Sequence, residues 1–111
     1  MRLFVGEKLI SSKVRVADTM LDRMVGLLKT KSLNEGESLL IEPCNSIHTF
    51  FMKFNIDVVF LDKDLKVVKI FRDLPPWRMT LPHMRAKKVI EANANSFNEL
   101  NVGDQLELRD V

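Results

Sequence analysis

The residues able to do chemistry concentrate between Glu42 and Asp62, in the run EPCNSIHTFFMKFNIDVVFLD. Cys44, the only cysteine, lies four positions before His48, and a thiolate beside an imidazole is the pairing of an activated nucleophile with its base. Asp57 would orient the ring as the third member of a triad. A structural reading stands beside the catalytic one. Cys44 then serves as a small buried hydrophobe with its thiol kept protonated, and His48 is satisfied by local hydrogen bonds. Strand register separates the two. If HTFFM and IDVVF form a hairpin with Met52 opposite Ile56, His48 and Asp57 fall on opposite faces. With Met52 opposite Asp57 they share one, because a one-residue slip turns every side chain over. The sequence leaves both registers open.

A metal site needs three or four convergent ligands, and the chain offers Cys44, His48 and His83 with scattered carboxylates. No Cys-x-x-Cys, His-Glu-x-x-His or EF-hand loop occurs, so no metal is expected. Walker, GxGxxG and GxSxG signatures are also missing, and no cofactor is expected.

The second candidate stretch is LPPWRMTLPHMRAKK, where Trp77 and Arg78 precede His83, Arg85, Lys87 and Lys88. Such a segment could present an aromatic platform and cations to an anion, a sugar or a single-stranded base. Equally, Trp77 could fold back over the core and leave the cations as a solvated face. Glu91 alternates in phase with Val89, so it either points inward toward a cation or marks the wet face of an edge strand. The candidate pocket therefore comprises Cys44, His48, Asp57, Trp77, Arg78 and Glu91.

These residues must be positioned by strands. MRLFV and KLI read as a hairpin about Gly6, and KVRVA alternates like a half-buried strand. From Met20 to Leu28 the apolar spacing becomes helical, with Thr19 and Asp22 resembling a capping box. Strand patterns then dominate: SLLIE, IHTFFM, IDVVFLD, LKVVKIF, KKVIEA and DQLEL. Asp62 to Asp64 supplies a turn that pairs IDVVFL with LKVVKIF as an antiparallel hairpin. Ser96 to Leu100 reads as a brief helical turn, and NVGD leads into the last strand. The predicted fold class is α+β: a mostly antiparallel, curled, barrel-like sheet packed with one main helix.

The chain has 111 residues, of which 46% are hydrophobic and 29% charged, ordinary globular composition and enough for one core, so a single domain over 1–111 is expected. With 17 basic and 15 acidic residues the charge is nearly balanced, which tells against a dedicated nucleic-acid binder. One cysteine cannot close an intramolecular disulfide, and no run is long enough to span a bilayer. Cytoplasm without membrane association is the expected setting.

RMVGLL, LLIEPCNSIHTFFMKFNIDVVFLD, KVVKI, LPPWR, AKKVIEA and VGDQLEL together resemble an uncharacterised ancient-conserved-region family, domain of unknown function number one hundred and ninety-two. The likeness runs from about Lys13 onward. It implies a β-rich α+β domain found mainly in bacteria and archaea, with no established reaction. It marks Cys44, His48, Met52, Asp57, Asp62 and Glu91 only as motif positions. One departure is Asn95, where the resemblance leads one to expect glycine; Asn also tolerates a left-handed backbone. Three functions remain open: a non-enzymatic module for a small polar ligand or protein partner, a thiol- or metal-assisted hydrolase using Cys44 and His48, and nucleic-acid binding through Trp77 to Lys88.

Overall fold

A computed structural model describes residues 1–17 and 33–110. Eight strands follow in chain order: β1 Arg2–Val5, β2 Lys8–Ser11, β3 Lys13–Ala17, β4 Glu37–Ile41, β5 Ile56–Leu61, β6 Val67–Leu74, β7 Lys88–Asn93 and β8 Leu106–Arg109. They form a three-stranded sheet, β2-β1-β8, and a five-stranded sheet, β3-β4-β7-β5-β6. All pairings are antiparallel except β3 with β4, which are parallel.

The expected hairpins about Gly6 and Asp62–Asp64 are present as β1–β2 and β5–β6. In the second, Asp62 Oδ1 accepts from the amides of Asp64 and Lys66, closing the turn. Gly36 precedes β4 at φ 81°, and its carbonyl accepts from the Ser12 amide (3.0 Å) and the Ser11 hydroxyl (2.7 Å). A Cβ at Gly36 would lie 2.6 Å from the exposed Ser12 hydroxyl, which would have to rotate away, and the positive φ is what favours glycine here.

The fold-class expectation needs correction. Among the described residues there is no helix, hence none long and apolar enough to cross a membrane, and neither sheet closes into a barrel. Edge strands β3 and β6 stand at opposite ends of the five-stranded sheet without pairing to each other. Among the described residues, the sheet faces are covered by sheet-on-sheet packing and by irregular chain. The helix expected over Met20–Leu28 lies outside the described residues. Ser96 to Leu100 forms turns, tied by the Leu100 amide on the Phe97 carbonyl, and not a helix.

Every residue of β5 is buried, because both faces of the five-stranded sheet are covered. Side chains alternate across it. Ile56, Val58, Phe60, Val89, Leu39 and Ile41 join Ile47 and Met52 in one cluster. Val59, Leu61, Ile90, Ala92 and Leu40 join Leu3, Leu106, Phe97 and Leu100 in another, where the small sheet packs. At about 1.5–3 kcal/mol per fully buried large apolar side chain, both clusters contribute strongly to stability. The first face is the one covered by the two candidate stretches, residues 42–55 and 75–87.

Candidate functional site

The two covering segments run side by side. Cys44 donates its amide to the Lys87 carbonyl (2.9 Å), His83 to Asn45 (2.9 Å), Thr80 to Ile47 (2.9 Å) and Thr49 to Arg78 (2.8 Å). Pro75, Pro76 and Pro82 cannot donate, so the pairing stays sparse and only His48 forms a bridge, to Met79. The expected IHTFFM strand and its hairpin with IDVVF are therefore not formed. The chain reverses instead between Thr49 and Met52, whose amide donates to the Thr49 carbonyl (3.2 Å). Tertiary context overrides the strand preference of Phe50 and Phe51.

Thr49 organises the reversal and is fully buried. Its hydroxyl donates to the Pro75 carbonyl (2.7 Å) and accepts from the Arg78 amide (2.9 Å), while its own carbonyl accepts from Trp77 (3.1 Å). This holds two bulky residues in the left-handed region, Phe51 at φ 68° and Trp77 at φ 66°. Such conformations are outliers for large side chains and cost about 1–3 kcal/mol each. The rings meet edge-on at 4.7 Å, and Phe50 continues the contact from Trp77 (6.0 Å) to His48 (5.0 Å).

The strained pair is displayed to solvent: Phe51 is 62% exposed and Trp77 58%. Beyond Trp77 the chain stays extended. Thr80 turns inward, its hydroxyl accepting from the Ile47 amide (3.1 Å), while Met79 and Leu81 turn outward, 70% and 82% exposed. Met84 follows, equally bare at 78%. Five large apolar side chains thus line one strip of surface, with exposed Lys53, Arg78, Arg85 and Lys87 interspersed. Residues 43–55 and 75–87 contain no carboxylate.

The predicted site residues separate into four groups. Trp77 and Arg78 lie on this strip. Cys44 and His48 belong to the same covering layer; Cys44 is half-buried against the first core and its thiol donates to the Ser46 carbonyl (3.0 Å). Glu91 is completely buried on the first face of the inner strand β7, aligned with Leu39 and Val58 on its neighbours. The edge-strand alternative for it falls, and the residue is engaged by a partner rather than left bare.

Asp57 is on the far side of the sheet. It aligns with Ala92, a member of the second cluster, and its carboxylate accepts from the amides of Asp73 (2.9 Å) and Phe97 (3.1 Å). The register of β5 against β6 shifts here, leaving Asp57 facing an extra residue. Asp57 thus satisfies an amide that the bulge removes from the ladder. Arg72 completes the brace, donating to the carbonyls of Phe97 and Leu100. The register argument for a triad rested on a hairpin that does not exist, and the Asp57 carboxylate is already committed to backbone. Among the described residues, no three His, Cys, Asp or Glu side chains cluster as metal ligands would.

The buried, organising role of Thr49 and the exposure of Phe51, Met79, Leu81 and Met84 were not anticipated. One signal was available: LPPWRMTLPHM places large apolar residues in a proline-broken segment, where a plain solvated loop would be polar.

The described residues form an open two-sheet β fold with an apolar, cationic strip on the loops covering one sheet face. Over residues 2–108 the chain matches the model of the DUF192 family, described as Uncharacterized ACR, and it belongs to that family. The match begins upstream of the Lys13 suggested by the motifs. A UPF0127 protein of Thermococcus sibiricus is 35% identical over 106 residues, 90% of this chain and 68% of the relative. A UPF0127 protein of Pyrococcus abyssi is 37% identical over 103 residues, 86% of this chain and 85% of the relative. The crystal structure of a protein of unknown function from Novosphingobium aromaticivorans shares the fold, with a TM-score of 0.72 at 21% identity, covering 86% of this chain and 74% of that one.

Proposed function

We propose that the chain is a non-enzymatic binding module and that the strip from Phe51 through Trp77 to Met84 docks a protein partner. The observation that carries this is the exposed aromatic pair held at positive φ. Strain in a backbone is commonly retained where it presents a functional group, and here it presents two rings that no core packing rewards. Covering the exposed part of each ring would contribute about 2–4 kcal/mol at ~25 cal/mol per Å². Trp, Phe, Met and Arg are also the residue types that enrich the centres of protein interfaces.

A small polar ligand fits less well, since the strip is long and mostly apolar. The thiol hydrolase cannot use Asp57 as its acid, because that carboxylate lies on the far face of the sheet and accepts from two backbone amides. Nucleic acid is favoured by one specific observation, the cationic and carboxylate-free character of both segments.

The test is a thermal-shift screen of peptides and small polar compounds against the wild-type chain and a Phe51→Ala/Trp77→Ala double variant. A true partner at a hundred times its Kd raises stability by about 2.7 kcal/mol. The double variant should lose that gain. Stabilisation that survives in the double variant, or none in any condition, removes the proposal.

A further inference from the structure

Resting on that docking surface, we infer that its occupant is an extended acidic segment of another protein, with apolar side chains on the Trp77–Met79–Leu81 rail and carboxylates on Arg78, Arg85 and Lys53. Charge is the first ground. The chain holds 17 basic and 15 acidic residues, yet residues 43–55 and 75–87 carry four of the basic residues and none of the acidic ones. Thirteen basic against fifteen acidic residues remain elsewhere, so the near-neutral total conceals a cationic face on a slightly acidic body. Complementary potential of this kind selects partners and accelerates their encounter. The carboxylates bordering the strip are already engaged: Glu42 is paired with Lys88 at 3.2 Å, Asp73 accepts from Asn55, and Asp62 accepts from the Asp64 and Lys66 amides.

Geometry is the second ground. Met79 and Leu81 project from one side of extended chain with Thr80 turned in, so their spacing is the two-residue repeat of a strand. A peptide extended alongside repeats its side chains at the same interval. Next to the rail is a cavity of about 230 Å³ lined by Val68, Pro82, His83, Met84 and Arg85. It suits one apolar side chain whose acidic neighbour reaches Arg85. This concavity gives a flat lipid surface nothing to fill it with. Met79, Leu81 and Met84 carry no ring on which a base could stack, which favours peptide over single-stranded nucleic acid.

Trp77 is the only tryptophan and the chain has no tyrosine, so emission from the strip can be read without labels. The full chain is titrated with short peptides alternating Leu–Glu, Leu–Lys and Ser–Glu, with oligo(dT), and with phosphatidylglycerol vesicles. Saturable change in Trp77 emission is expected with the Leu–Glu peptide alone, weakening as salt is raised. Arg78→Glu/Arg85→Glu and Met79→Ser/Leu81→Ser, all at exposed positions, should each weaken it about tenfold or more. Equal binding of Leu–Lys, or a response to oligo(dT) or vesicles without one to Leu–Glu, overturns the acidic-peptide inference while leaving a binding surface. Silence of Trp77 toward every ligand, including hits from the stability screen, overturns the docking surface itself.

Discussion

Thr49→Val is the sharpest perturbation of the strip, because valine keeps the β-branched shape and deletes only the hydroxyl. The Arg78 amide then loses its acceptor at 2.9 Å and the Pro75 carbonyl its donor at 2.7 Å, at a residue with no exposed surface. An unsatisfied buried group costs about 1–3 kcal/mol, and Pro75 is partly reachable by water, so the loss should total about 2–4 kcal/mol. That is a large share of the roughly 5–15 kcal/mol that holds a domain folded. Thr49→Ser keeps both hydrogen bonds and removes a methyl group, for about 1 kcal/mol. Urea denaturation followed by circular dichroism gives both stabilities. Anisotropy of Trp77 under native conditions reports whether the ring is released. If the valine variant stays within about 0.5 kcal/mol of wild type with Trp77 still immobile, Thr49 does not organise the reversal and the strain argument fails.

Asp57→Asn retains one acceptor oxygen but turns an amino group toward the Asp73 or Phe97 amide; it should cost about 2–4 kcal/mol in denaturant melts while leaving Trp77 emission unchanged. Gly36→Ala meets both a positive φ and Ser12, and should cost about 1–3 kcal/mol by the same measurement. Asp62 has its carboxyl held below the ordinary 3.8, first by the Lys66 amide, which outweighs the opposing effect of burial, and then by the Asp64 amide and the charges of Lys66 and Arg85. A depressed folded-state pKa means stability that is present above 3.8 and lost as pH falls through the lower folded value. The stability difference between wild type and Asp62→Ala should therefore shrink on acidification below pH 3.8, and a constant difference would refute it.

Much of the strand architecture was legible because alternation and turn residues mark it: Gly6, Asp62–Asp64 and the KVRVA and KKVIEA runs all sit where those signals put them. Asn95 adopts φ 72°, as a residue standing in for glycine at a left-handed turn should. Faces were less legible. Asp57 and Val58 look alike in a run where every residue is buried, and only pairing with Ala92 and the bulge near Asp73 reveals which cluster each joins. IHTFFM misled because its composition suits a strand, whereas the Thr49 hydrogen bonds that bend it come from residues about thirty positions away. The candidate site was half legible: Trp77 and Arg78 lie on the strip, and Asp57 does not.

Coverage of the five-stranded sheet on both sides gives this small chain two hydrophobic interiors separated by a hydrogen-bonded partition. A loss of volume beside Phe60 is felt among Ile47, Met52 and the loops, while one beside Phe97 is felt among Leu3, Leu106 and the small sheet. Side chains in the two compartments have few shared neighbours, and the energetic effects of changing them should sum. Sequence can therefore drift in the compartment behind the small sheet, or be redesigned there for robustness, without reshaping the surface carried by the other.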